Sequence, residues 1–388
     1  MSEPDFLALS RPSSSAGKGR GGNVSASTQP VMLLHNLKKI LIIQLGDIGD
    51  VVWTTPTLWA VKGAYPDAQV SILVREGCGG LLEKDSSLDK IFEVRRYRGG
   101  VLKKGREQIR FLKALRRECF DLVIDLRAGD RGAIIAYLTG APMRFSLLYR
   151  KGVPFWRNRL FTHLIDPLPA DKRVRGAAEQ SLRIVRGLGI ESRDTTPRLW
   201  VSKEVSLRVR ELLQYEKITG LKKWITLNPF SRWGYKEWSL DKWKEIIEWL
   251  WSTYQIATVI IGAPEEKERA LALSEKCGRL VFNLTGKITL SELSGLLNLS
   301  FLHLGVDSAA PHIAAAVGTP TLTIYGPSDW YDWAPIGAIH KVIVPDLECV
   351  PCHKKGCQDK GWSRCLEELT VKQVQSEIQQ AIEQVPSR

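Results

Sequence analysis

Three short segments hold residues able to do chemistry, and each follows an apolar run. The first is Gly46-Asp47-Ile48-Gly49-Asp50, directly behind Ile40-Leu41-Ile42-Ile43-Gln44-Leu45. A carboxylate at the start of a helix is stabilised by the helix dipole and stays ionised, which suits a general base. Asp50 is read as the acid closer to that start, with Asp47 further out. The plain alternative is that both acids only cap the helix. The second segment, Asn228-Pro229-Phe230-Ser231-Arg232-Trp233-Gly234-Tyr235-Lys236-Glu237-Trp238, offers a hydroxyl, a guanidinium and an ammonium. Such groups clamp a phosphate; a solvated loop pinned by tryptophan packing is the other reading. The third runs from Gly305 through Asp307-Ser308-Ala309-Ala310-Pro311-His312 to Ala316. Small residues straight after a strand leave helix N–H groups open to an anion. Pro311 fits an early helical position, His312 can add a donor, and Asp307 can hold the turn.

These turns can meet only if the elements around them bring them together. The run Lys38 to Leu45 reads as a buried parallel strand, with a helix from Val51 to Tyr65 that tolerates Pro56 only near its first turn. Strands follow at Gln69 to Val74, Ile91 to Val94 and Leu122 to Asp125, with a helix over Lys103 to Arg117. The alternation restarts downstream. Strands are expected at Trp224 to Asn228, Ala257 to Ile261, Val281 to Asn283, Phe301 to Gly305 and Thr321 to Ile324. Helices are expected over Leu240 to Tyr254, from Glu265, over Leu290 to Leu297 and through His312. This pattern predicts an α/β fold with two parallel-sheet units, joined somewhere within Ser192 to Lys222. Ligands of such sheets sit outside the carboxyl ends of the strands, so two facing units would share one cleft.

Composition narrows the partners. The 388 residues suggest two to three domains at about 150 residues each. Lys and Arg number 55 against 42 Asp and Glu, a net charge of +13 that favours anionic partners. No apolar run approaches the roughly 18 residues of a membrane span. The first 37 residues are rich in Ser and Gly and lack the apolar core of a secretory signal; they read as a flexible tail. The cysteine count is seven, an odd number that argues for a reducing compartment and hence the cytoplasm. Four of them form Cys349-x2-Cys352-x4-Cys357-x7-Cys365, with His353 alongside. The first spacing suits zinc and the later ones are looser, so structural thiols and a weak metal site both stay open. Arg95 to Arg117 carries ten basic residues and one acid, Glu107. It is either a solvated helix or a surface that meets an anionic membrane. Nucleic acid is not the expected partner, because the charge sits on no known reading element.

Together the three segments resemble the bacterial lipopolysaccharide heptosyltransferases, nucleotide-sugar glycosyltransferases with the two-domain GT-B fold. The resemblance runs over roughly residues 38–385. It rests on Leu45-Gly46-Asp47-Ile48-Gly49-Asp50-Val51-Val52 with Thr54-Thr55-Pro56, on Ser231 to Trp238, on Asp307 to His312, and on Gly318-Thr319-Pro320 with Tyr325-Gly326-Pro327. It implies Asp50 as the base that deprotonates the acceptor hydroxyl. It implies Ser231 and Lys236 on the donor diphosphate, Glu266 on the nucleotide ribose, and Asp307, Ser308, Ala309 and His312 beneath the diphosphate and sugar. Ala309 departs from the family, which often has Gly there, and its methyl could crowd the phosphate.

The expectation that follows is an inverting transfer of heptose from ADP-heptose to the lipopolysaccharide inner core. No cofactor is expected, and the absence of any D-x-D triplet disfavours a metal clamp. A tail over 1–37, an acceptor domain over 38–200 and a nucleotide-sugar domain over 201–388 are expected. The protein would be cytoplasmic and peripheral at the inner membrane face. Arg95, Arg96, Arg98, Lys103 and Lys104 would form the acceptor or membrane surface. Other readings remain: another nucleotide sugar, or a GT-B scaffold that binds nucleotide or glycan without catalysis. A dinucleotide oxidoreductase is disfavoured, because the glycines of the first turn do not form G-x-G-x-x-G.

Overall fold

The computed structural model describes residues 34, 36–95, 100–166, 176–218, 223–278 and 281–384. Of the expected tail only Leu34, Asn36 and Leu37 are among them: Leu37 is buried in the core and the Leu34 N–H donates to the Tyr65 hydroxyl at 3.3 Å. The rest of the tail, and the expected basic residues Arg96 and Arg98, lie outside them.

The amino-terminal half contains β1 (Lys39–Gln44), α1 (Ile48–Ala64), β2 (Gln69–Arg75), β3 (Lys90–Val94), α2 (Val101–Arg117), β4 (Leu122–Asp125), α3 (Asp130–Leu138), β5 (Met143–Leu147), β6 (His163–Ile165) and α4 (Ala178–Arg186). The carboxy-terminal half contains α5 (Lys203–Tyr215), β7 (Trp224–Asn228), α6 (Leu240–Tyr254), β8 (Ala257–Ile260), α7 (Lys267–Cys277), β9 (Val281–Asn283), α8 (Leu290–Leu299), β10 (His303–Val306), α9 (Ala309–Ala316), β11 (Thr321–Ile324), α10 (Trp330–Trp333), β12 (His340–Ile343), α11 (Arg364–Glu368) and α12 (Val371–Gln384).

Each half builds one six-stranded sheet, ordered β3-β2-β1-β4-β5-β6 and β12-β11-β10-β7-β8-β9. All pairings in both are parallel. Counted within its own half, each sheet has the doubly wound order 3-2-1-4-5-6. The chain therefore reverses its direction of winding twice, between β1 and β4 and between β7 and β10. Ligands of such open sheets sit outside the strand ends at those two points. The central strands are continuous apolar runs because both faces are covered: Ile40, Leu41, Ile42 and Ile43 are all fully buried.

The expected α/β class and the two parallel sheets are what the chain forms. Two local expectations differ. Helix α1 starts at Ile48, a turn earlier than expected, and Pro56 lies well inside it. Pro56 has no N–H for the carbonyl four residues back, Val52 O. The Thr55 hydroxyl donates to that oxygen instead, at 3.0 Å. The sequence signals for α3, β5, β6, α4 and β12 were too weak to read: Met143-Arg144-Phe145-Ser146-Leu147 interleaves polar and apolar side chains, and β6 has three residues.

One apolar core runs across both halves. It joins Val51, Val52 and Leu58 of α1 and Leu182 and Val185 of α4 to Leu296 and Leu297 of α8 and Ala310, Ile313 and Ala314 of α9. Separate cores cover the outer faces of the sheets. On the outer face of the second sheet, Val374, Ile378 and Ala381 of α12 form an apolar stripe. Trp238 fixes the chain leading into that helix by donating its indole N–H to Leu369 O at 3.1 Å.

Candidate active site

The two winding reversals hold the chemistry-bearing turns. From the first sheet come the turn after β1, with Asp47 and Asp50, and the residues after β4, with Arg127. From the second come the loop after β7, with Ser231 and Lys236, and the β10–α9 turn, with Asp307 to His312.

Asp47 is the N-cap of α1 and Asp50 the third helical residue, so Asp47 is the acid nearer the helix start, the reverse of the expectation. Asp50 does cap: its Oδ2 accepts the Asp47 N–H at 2.7 Å. Its Oδ1 accepts from Arg127 Nη1 at 2.9 Å. Burial raises the Asp50 carboxyl above its ordinary value, and the Arg127 charge and the Asp47 N–H offset only part of that. Gln44 stitches the turn beneath it: its Oε1 accepts the Gly46 N–H at 3.0 Å and its Nε2 donates to Thr54 Oγ1 at 2.7 Å. Gly46 leaves no room for a side chain, since a Cβ there would stand 2.3 Å from Asp50 Oδ2.

Asp47 bridges the halves. Its carboxylate takes one bond from Arg75 at 2.9 Å and two from Arg232, both 3.0 Å. Burial works against its charge, yet the arginines prevail and hold its carboxyl below the usual range. A second contact across the gap is close packing: a Cβ on Gly49 would lie 3.1 Å from His312 Cδ2, and Trp53 meets the His312 ring edge-on at 5.7 Å.

On the far side, Lys236 Nζ pairs with Asp307 Oδ2 at 2.7 Å. The Ser231 hydroxyl donates to Asp307 O at 3.1 Å, and the Ser231 N–H donates to Glu237 Oε1 at 2.9 Å. Asn228 Nδ2 donates to Ser308 Oγ at 3.1 Å, tying the two loops of the second sheet together. Ala309 is the first residue of α9, whose leading N–H groups face the end of β10. His312 is buried, and burial drives its imidazole down to about 4, so it is neutral and donates from one nitrogen only. Its Nδ1 has no hydrogen-bond partner among the described residues.

Glu266 sits one strand away, beyond β8. Its Oε2 accepts the Ala263 N–H at 2.6 Å, and burial raises its carboxyl. It reaches the same edge through Gly262, where an added Cβ would strike Glu266 Oε2 at 2.6 Å and Phe230 at 3.1 Å. Asp50, Ser231, Lys236, Asp307, Ser308, Ala309 and His312 are thus gathered around one gap, with Glu266 at its margin.

Arg95, Lys103 and Lys104 are elsewhere, exposed on the amino-terminal half. The four clustered cysteines are also outside the gap. Cys349 is exposed and Cys365 is buried in the outer core, where burial first and the neighbouring thiols second push it up to about 11. Cys357 Sγ accepts the Arg364 N–H at 3.3 Å. No three His, Cys, Asp or Glu side chains among the described residues are grouped to hold a metal ion. The segment instead braces the Lys236 loop. Ser363 Oγ donates to Tyr235 O at 2.6 Å, and a Cβ on Gly356 would meet Tyr235 at 3.1 Å.

Sequence reasoning missed Arg127, Asn228 and Glu237. Asn228 and Glu237 lay within a segment already singled out. Arg127 had a usable signal: it follows a strand by two residues, as the other site turns do.

The family model for glycosyltransferase family 9 (heptosyltransferase) matches residues 108–363. The chain is 28% identical over 298 residues to lipopolysaccharide heptosyltransferase 3 of Escherichia coli, covering 74% of this chain and 83% of that one. It is 24% identical over 350 residues to lipopolysaccharide heptosyltransferase 1 of Pseudomonas aeruginosa, covering 82% and 87%. Among solved structures, a glycosyl transferase family 9 protein from Veillonella parvula superposes with a TM-score of 0.73 at 21% identity, covering 89% of this chain and 97% of that one. The E. coli ADP-heptose lipopolysaccharide heptosyltransferase II gives 0.72 at 19% identity, with 89% and 99% covered. These likenesses establish the shared GT-B fold. With a family match over most of its length and two doubly wound sheets meeting at their switch points, the chain belongs to glycosyltransferase family 9, the heptosyltransferases.

Proposed function

We propose that this glycosyltransferase moves a heptose from ADP-heptose to the inner core of lipopolysaccharide with inversion, using Asp50 as general base. The observation that carries the reading is the position of Asp50: a carboxylate with a raised pKa, at the rim of the gap that Lys236 and His312 border from the other sheet. The acceptor O–H gives its proton to Asp50 as its oxygen bonds to the anomeric carbon. The bond from that carbon to the diphosphate breaks, and the electron pair leaves with ADP. A diphosphate reaching Lys236 competes with Asp307 for the ammonium, and the α9 N–H groups and the His312 ring N–H add donors for the departing charge. Glu266 would take the ribose. A nucleotide diphosphate leaves without an acid, so a single carboxylate suffices and the transfer needs no metal. In this reading residues 38–200 serve the acceptor and 201–388 the donor.

The acceptor is anionic and membrane-borne, and the cytoplasmic face of the inner membrane is where we place the reaction. Helix α2 supports this: Lys103, Lys104, Arg106, Arg110, Lys113 and Arg117 are exposed on it. Leu102 and Ile109 project among them, 91% and 55% exposed. Among the described residues no helix is long and apolar enough to cross a membrane, so contact would be at the surface.

The direct test is turnover of Asp50→Asn with ADP-heptose and core acceptor, after nucleotide sugars are ranked by thermal shift. Loss of a general base should lower kcat by about 10²–10⁴-fold with donor affinity little changed. Near-wild-type turnover would remove Asp50 from that role. Stabilisation by a different nucleotide sugar would change the donor, and binding without turnover would leave a scaffold.

A further inference from the structure

Beneath Arg127 lies an ion pair that no step above uses. Arg157 and Asp125 have side chains with 0% exposure, joined at 3.1 Å. A fully buried ion pair is a weak device for stability, because packed apolar side chains of similar volume hold a fold as well or better. This one is also incompletely satisfied: Arg157 Nε and Nη1 have no hydrogen-bond partner among the described residues. The faces of Tyr149 and Phe161 cover the guanidinium at 4.7 and 5.0 Å. What the pair does make is a clamp on the main chain of residue 127. Asp125 Oδ1 accepts the Arg127 N–H at 3.3 Å, and Arg157 Nη2 donates to Arg127 O at 2.5 Å. Ser146 adds a third point, its Oγ 3.2 Å from Arg157 Nη2. Gly132 admits α3 to the same spot, where a Cβ would stand 2.7 Å from Asp125 Oδ1. The clamped residue is the one whose side chain bonds Asp50.

We propose that Arg157 and Asp125 are positioning residues, holding the main chain of Arg127 from both sides so that its guanidinium stays on Asp50 and sets how readily that carboxylate binds a proton. The catalytic consequence rests on Asp50 being the base; the effect on its proton affinity does not. The other charged groups around Asp50 are Asp47 on its own turn and Arg75 at the end of β2. Across the gap stand Arg232, bonded to Asp47, and the neutral His312.

The test is Asp125→Leu with Arg157→Met, an apolar pair that keeps the volume and removes both charges. The Asp50 carboxyl is followed by ¹³C NMR, so that titration of Asp125, which burial pushes up to about 7, is not mistaken for it. The expected result is a folded protein whose Asp50 midpoint rises by about one pH unit. At the same time kcat should fall at constant donor KM, and Arg127→Met should reproduce the Asp50 shift. A folded double variant with an unmoved Asp50 midpoint overturns the proposal. Should the double variant not fold, Asp125→Asn, which leaves Arg157 in place, is read in the same two ways. Active Asp50→Asn with a shifted midpoint in the double variant would discard the base and keep the clamp.

Discussion

Asp50 uses its two oxygens differently. One caps its own helix and the other meets Arg127, so capping leaves the second oxygen for the proposed chemical role of the same side chain. Because burial raises its pKa, its basic form is lost as pH falls through a value above the ordinary carboxylate range of about 4. The acid limb of kcat/KM should therefore lie above that range, and a limb at or below about 4 would mean that another group titrates. Lys236 gives a second prediction. Lys236→Met removes the cation beside Asp307 and leaves that buried carboxylate unpaired. Donor KM should rise and kcat fall, each by about tenfold or more, with ADP binding by calorimetry weakened in step. An unchanged ADP affinity would take Lys236 off the diphosphate. Most of these side chains were legible in the sequence because they occupy turns immediately after apolar runs. Arg127 shares that position, but its partner was not legible: it lies 77 residues from Asp50, and nothing in Leu126-Arg127-Ala128 announces the contact.

At the scale of elements, legibility followed burial. Strands covered on both faces, such as β1, β4 and β7, are plain apolar runs and were read to within a residue or two. The edge strands β6 and β12 and the mixed β5 were missed, because a short or half-polar stretch has no period to detect. The start of α1 was misplaced because Gly49 and Asp50 look like turn residues, whereas Gly49 is helical so that α1 can lie against His312. Binding to vesicles through α2 should depend on anionic lipid and weaken with salt. Lys103→Gln with Lys104→Gln should loosen it by about 30-fold. Replacing Leu102 and Ile109 by Ser should reduce binding without changing its salt slope. Binding indifferent to both lipid charge and salt would end the membrane reading of this helix.

The whole molecule is two sheets that share one core. Helix α1 packs on α9 across the division, and Leu199 N donates to Ala316 O at 2.9 Å. With no separate core on the facing side of either half among the described residues, heat or denaturant should unfold the chain in a single transition, seen alike by tryptophan fluorescence and far-ultraviolet dichroism. Two resolved transitions would mean that the halves are more independent than their packing indicates. The same joint limits how this protein can be recombined. A chimaera that borrows its donor half from another family member inherits foreign surfaces on α8 and α9, and these must fit a fixed α1 and α4. Swapping specificity by exchanging halves would therefore fail at the seam before any substrate was met, unless the buried faces of those helices travelled with the graft.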